Sequence, residues 1–266
     1  MEEQWIDEQL GKIKIVRNQR ARNIIMRVTP DCIRVTCPPY APIKEVRNII
    51  DLNRDKIARQ KQTVKSRTTT IDQNFRISTD LLQLNIVLRP QTAIGSLANE
   101  FTANRKKGQC TIVCPHATDF ASIQEWLKKI IIEELRIQAK THLPQRTHEL
   151  AQTYGFHYKD VKIQSSRTNW GSCSTKSNIN LNLNIVRLPY ILRDYILLHE
   201  LCHLRHHDHG QAFHLLLEHV CTDNLLRLCD QGDMTARQIA RVAASSRARY
   251  PIDHVCTKAI KQYPLI

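Results

Sequence analysis

Apolar and polar residues alternate along KIKIVR (12–17), and NIIMRV (23–28) and CIRVT (32–36) flank Thr29-Pro30-Asp31. This is the pattern of strands joined at a tight turn. Cys37-Pro38-Pro39 closes the run. From Pro42 to about Gln62 the period changes: Ile43, Val46, Ile50 and Ile57 recur near helical spacing among Lys, Arg and Asp, which predicts one amphipathic, basic helix with proline near its first turn. The polar, Thr-rich stretch 66–79 reads as a link, and LLQLNIVL (81–88) and CTIVC (110–114) read as further strands.

Residues 119–142 set Phe120, Ile123, Leu127, Ile130, Ile131 and Leu135 on one side and Lys128, Lys129, Glu133 and Glu134 on the other, a long core-packed helix. Pro144 predicts its end, and a shorter helix over 145–154 should stop at Gly155. VKIQ and INLNLNIV then bracket the loop 165–178 as strands; in the second, Ile179, Leu181, Leu183 and Ile185 face inward and Asn180, Asn182 and Asn184 outward. Pro189 opens PYILRDYILLHELCHLRHH, a helix apolar enough in its first turns to be buried. No internal repeat is evident.

With 266 residues, 42% hydrophobic and 24% charged, the chain has the composition of a folded globular protein. MEEQWIDEQL carries acids where a secretory signal would be basic, and no apolar run reaches the roughly 18 residues that span a bilayer, so a cytoplasmic protein without a membrane partner is expected. Nine cysteines at irregular spacings fit reduced thiols; Cys110 and Cys114, at C-x3-C, lack a second pair with zinc-ribbon spacing. The net charge of +14 is concentrated: residues 12–67 hold 15 Lys/Arg against Asp31, Glu45, Asp51 and Asp55. Such a field would attract an anionic partner, nucleotide or nucleic acid, or else serve as a solvated face.

His199-Glu200-Leu201-Cys202-His203 is H-E-x-x-H near a helix end. Residues four apart lie about 5–6 Å apart on one face, so both imidazoles can reach one Zn²⁺. Glu200, about 100° around, flanks them as a proton acceptor that does not ligate. A third ligand is required from among His206, His207, His209 and His214. On a straight helix His206 would stand roughly 10 Å from His199, too far for one ion, so the chain must turn back near Asp208 and Gly210. The interval from His203 to His209 matches the second-to-third ligand spacing of the longer H-E-x-x-H-x-x-G-x-x-H motif, with His206 at its glycine position. His209 is therefore the expected third ligand, and His207, His214 and His219 are not ligands.

With R-x-x-W-G-S-C-S (167–174), a strand, and H-E-L-x-H-x5-H-x3-F in that order, the chain resembles the YgjP-like metallopeptidase family, related to WLM and SprT-like zincins, over most of residues 12–222. The resemblance implies an α+β fold with a zincin-like core. It also implies one Zn²⁺ on His199, His203 and His209, with Glu200 as general base. The family pattern sets Arg167, Trp170, Gly171, Ser172 and Cys173 beside the site. A physical reading has the 170–173 turn shaping the substrate cleft and Arg167 stabilising developing negative charge. Residues 179–186 would pair with an extended peptide. The expected organisation is a β-rich region with one basic helix over 1–115, the zincin-like domain over 116–229 and a tail over 230–266 with a possible basic helix and no assigned role. The expected function is a zinc peptidase acting on a peptide or protein. The alternatives are a nucleoside triphosphate (phosphoanhydride) hydrolase and a non-catalytic, zinc-stabilised nucleic-acid-binding module.

Overall fold

The computed structural model describes residues 2–29, 32–67, 71–90, 100–166 and 168–266, so Pro30 and Asp31 of the expected turn, 68–70 of the expected link, and Arg167 lie outside the described residues. The architecture is α+β, and the chain divides into Met1–Thr69 and Thr70–Ile266. The first unit holds strands β1 (Glu2–Asp7), β2 (Gly11–Arg17), β3 (Ile25–Val28) and β4 (Ile33–Cys37) in the order β1-β2-β4-β3, followed by α1 (Ile43–Leu52) and α2 (Arg54–Arg67). Ile13, Ile15, Ile33 and Val35 are fully buried on one sheet face, sharing a core with Val46, Ile50 and Ile57 of the helices. The expected single helix is thus two. At Asn53 the side-chain amide donates to the Ile49 carbonyl at 2.8 Å while the backbone leaves helical dihedrals (φ −108°, ψ 11°), the competition with the backbone that makes Asn a helix breaker.

The second unit opens with β5 (Arg76–Ser78), β6 (Gln83–Leu88), β7 (Thr102–Lys106) and β8 (Gln109–Cys114) in the order β5-β6-β8-β7. In both sheets the outer pairs are antiparallel and the central pair parallel. Both fourth strands end at Cys-Pro (Cys37-Pro38, Cys114-Pro115) before a helix. The internal repeat that the residues conceal is therefore present in the strand order. Its second copy shares one core with everything that follows, since Ile77, Leu84 and Ile112 pack in the cluster of Leu127, Leu183, Phe213 and Cys256. The domain boundary expected at 115/116 falls at 69/70 for this reason, and the stretch from 230 belongs to the same core.

Helix α3 (Gln124–Tyr154) runs unbroken through Pro144, where two helices were expected. Its buried stripe Leu135, Ala139, Leu143, Thr147 and Leu150 continues across the proline. Burying Leu143 and Leu150, at about 1.5–3 kcal/mol each, offsets the roughly 3 kcal/mol an interior proline costs. Strands β9 (Asp160–Gln164), β10 (Gly171–Cys173) and β11 (Asn178–Asn182) form a third sheet in the order β10-β11-β9. The expected strand 179–186 stops at Asn182 and becomes a 3-10 turn, Leu183–Arg187. Asn182 and Asn184, expected on a solvent face, are fully buried. The Asn182 amide donates to the carbonyls of Ser166 and Asn169, both at 2.8 Å, while its oxygen accepts from the Asn184 amide N–H. Four helices complete the unit: α4 (Tyr190–Cys202), α5 (Gln211–Asp230), α6 (Met234–Ala244) and α7 (Pro251–Ile260). No helix among the described residues is long and apolar enough to cross a membrane.

Candidate metal centre

Helix α4 is buried almost throughout and ends at Cys202, placing His199 and Glu200 in its last turn and His203 at its C-cap. Beyond it Leu204, Arg205 and His206 fold back, with N–H groups donating to the Leu201 and Cys202 carbonyls. The turn brings the His206 carbonyl 3.0 Å from His203 Nδ1. Since a carbonyl only accepts, that nitrogen carries the proton and Nε2 keeps its lone pair for a metal. The glycine position of the longer motif is thus filled by a residue whose backbone oxygen fixes a ligand's tautomer.

His209 returns to the helix end with its Nε2 3.2 Å from that of His199, and ligand atoms of His199, His203 and His209 all lie within 4.8 Å of one another. Two nitrogens on one tetrahedral ion at 2.0–2.1 Å stand about 3.3 Å apart, close to the separation of the His199 and His209 ring nitrogens, and the His203 ring is close enough to complete a set of three. Burial pulls the His199 pKa down to about 4 and also lowers that of His203, which keeps both rings neutral. Phe213 on α5, fully buried, lies 5.0, 4.5 and 4.8 Å from the rings of His199, His203 and His209. It forms an apolar floor common to all three; its fixed place in the H-x3-F pattern was the only sequence signal for it.

Glu200 is 5% exposed, its Oε2 has no hydrogen-bond partner, and burial pushes its pKa up to about 8. A buried carboxylate oxygen without a partner, on the residue next to a histidine of the convergent triad, is a group whose retention asks for a chemical reason. Strand β10 closes over this carboxylate: a Cβ built on Gly171 would lie 2.6 Å from Oε1 and 2.7–2.8 Å from Cγ and Cδ. Gly171→Ala should therefore displace Glu200. Metal content should hold while any turnover that depends on the Glu200 carboxylate falls about 10²-fold, the cost of a roughly 1 Å misplacement; metal analysis beside steady-state kinetics checks both.

Of the other residues expected beside the site, Trp170 is half-buried against the core and its carbonyl accepts from Asn182 N–H. Ser172 Oγ accepts from the Asn180 amide at 3.2 Å, on the opposite side of the strand from Gly171 by the two-residue alternation. Cys173 is half-buried, and the Glu200 charge adds to burial in raising its pKa. Arg167 lies outside the described residues. Strand β11 is paired on both sides, with β9 and β10. Residues 179–186 thus have no free edge for a peptide; the sheet's edge strands are β9 and β10, and β10 is the one that lies against Glu200.

The stretch from 230, given no role by the sequence, supplies one wall of the cleft. Tyr195, one turn before His199, donates its hydroxyl to Asp253 of α7 at 2.5 Å, and the other oxygen of Asp253 is 2.9 Å from His214 Nδ1. His214 stacks on Tyr250 at 5.1 Å, and Glu218 accepts from the Ile252 and Asp253 N–H groups, anchoring the start of α7. Tyr195, His214, Tyr250 and Asp253 line, with His199 and His209, a cavity of about 430 Å³. A larger one, about 810 Å³, lies around the start of α4 and holds none of the histidines, so chemistry and not size marks the site.

No curated protein and no solved structure matches the chain. The family model described as the YgjP-like metallopeptidase domain matches residues 22–226, a stretch that contains His199, Glu200, His203, His209, Phe213 and the β10 edge, and the chain belongs to that family.

Proposed function

We propose that the protein is a zinc-dependent peptidase with a zincin-like core, acting in the cytoplasm on peptide or protein substrates. The observation that carries this reading is the orphaned, buried Oε2 of Glu200, the residue that follows His199 of the histidine triad in the last turn of α4. A purely structural site has no use for a desolvated acid at that place. His199, His203 and His209 would hold the zinc. When bound, the ion would lower the pKa of a coordinated water to about 7 and polarise the scissile carbonyl. Glu200 Oε2 accepts the proton of the attacking nucleophile, and its pKa, raised by burial towards neutrality, suits it to pass that proton on to the leaving amide nitrogen. The free edge of β10 would receive an extended peptide as an added strand, holding the scissile bond beside Glu200 through backbone hydrogen bonds from residues 170–173. Trp170 and Ser172 contribute to that edge, and Arg167 is proposed to stabilise developing charge.

Zinc-loaded protein incubated side by side with a peptide library and with nucleoside triphosphates should cleave peptides, and a chelator should stop it. Hydrolysis of the triphosphates with no cleaved peptide would reject the peptidase reading in favour of phosphoanhydride chemistry at the same residues.

A further inference from the structure

We propose that the open face of the first unit's sheet binds the phosphodiester backbone of nucleic acid, independently of sequence. One face of that sheet packs on α1 and α2 through Ile13, Ile15, Ile33 and Val35. Alternation sends Lys12 and Lys14 of β2, Arg34 of β4 and Arg27 of β3 to the other. Register sets them in line: Lys14 is the partner of Arg34, and Arg34 of Arg27. Three cations on adjacent strands, about 4.8 Å apart per step, cover roughly 10 Å. Arg27 and Arg34 are exposed, and neither has an acidic partner among the described residues. Arg20 and Arg22, also exposed, follow β2 in the loop that leads to β3.

Like charges directly opposite on neighbouring strands destabilise a sheet, so the row asks for a reason. The repeat supplies the comparison. In the second copy the same register positions are Asn85, Thr111 and Asn104, a neutral row in which the Thr111 hydroxyl donates to Asn85 Oδ1 at 3.0 Å. The strand arrangement therefore does not require cations there; only the first copy has them. Closely spaced positive charges complement a polyanion with closely spaced negative ones, and the two exposed members of the row, Arg27 and Arg34, are arginines, whose planar fork matches phosphate bidentately. Ile6 and Ile25 are the exposed large apolar residues beside the row, and no aromatic ring among the described residues of the strands faces that side, so the contact is with phosphate and not with bases.

The test replaces the row with its counterpart from the second copy, Lys14→Asn, Arg27→Asn and Arg34→Thr together, in the full-length chain. A control variant loses the same charge from exposed lysines of the second unit, Lys106→Gln, Lys107→Gln and Lys140→Gln. Fluorescence anisotropy with labelled 20-nucleotide single-stranded and duplex oligonucleotides is read across a salt series. The wild type and the control should bind alike. The row variant should bind at least tenfold more weakly at 50 mM salt, with the slope of log affinity on log salt shallower by about 1.4 for single strands or about 1.8 for duplex, one phosphate contact for each of the exposed Arg27 and Arg34. Thermal melting should show the row variant no less stable than the wild type; if it is less stable, Arg34→Thr alone carries the comparison. Equal loss in row and control variants would mean net charge alone, and binding to anionic lipid vesicles without oligonucleotide binding would mean a membrane surface; either overturns the assignment, as does a wild type that binds neither oligonucleotide.

Discussion

Glu200→Gln should leave the metal content unchanged and lower turnover of the cleaved peptide by about 10²–10⁴-fold, the range a positioned general base contributes. Glutamine keeps the shape of the side chain under Gly171 and lies off the ligand set, so nothing that gathers His199, His203 and His209 is disturbed. The loss should appear in kcat, since the proton is transferred only in the transition state. A variant that kept its zinc and its rate would remove Glu200 from the chemistry. The same variant reports the burial directly in metal-free protein. There the folded state holds the Glu200 proton up to about pH 8, whereas the unfolded chain releases it near 4.5, so stability falls as pH rises through that window, by about 1.4 kcal/mol per pH unit at most. His199 acts in the opposite sense: with its folded value drawn down from 6.5 to about 4, its contribution is lost as pH falls below 6.5 and is fully present above it. Between pH 6.5 and 8 the Glu200 slope therefore stands free of His199. Denaturant titrations of chelated protein should show it in the wild type and not in Glu200→Gln.

How far the site could be read in advance depended on whether each contact was local. The four-residue interval from His199 to His203 has one meaning on a helix, and the distance argument against His206 forced a turn, so His209 followed. Gly171 against Glu200 and Tyr195 against Asp253 join positions 29 and 58 residues apart, and no periodicity records such pairs. The asparagines of INLNLNIV misled because alternation measures polarity and not exposure; Asn182 is buried at no cost once two backbone carbonyls accept from its amide. Pro144 misled in the opposite way, its local penalty being offset by a stripe that only the packed helix shows to be continuous. The repeat escaped notice because its copies share strand order and a Cys-Pro ending but little residue identity, and the positions where they differ most in charge are those that face away from the core.

His209→Ala should cost zinc affinity well beyond the 10–100-fold that loss of a ligand's supporting partner brings, and His214→Ala should leave zinc bound. The comparison is informative because both rings stand at the cleft, 6.3 Å apart between centroids, yet only His209 places a nitrogen within bonding reach of the other two histidines. His214 is already committed through Nδ1 to Asp253 and lies outside the triad. His209 is also the cleanest ligand to remove. It is exposed, whereas truncating the buried His203 would open a void above Phe213 and confound metal loss with unfolding. Competition with a chromophoric chelator gives the affinities, and melting gives an independent check. Zinc at 100 times its dissociation constant stabilises the folded state by about 2.7 kcal/mol, so the metal should raise the melting temperature of the wild type and His214→Ala but not of His209→Ala. Should His209→Ala retain full zinc affinity while His214→Ala lost it, the ion would sit on the α7 side of the cleft, and Glu200 would no longer be placed to serve it.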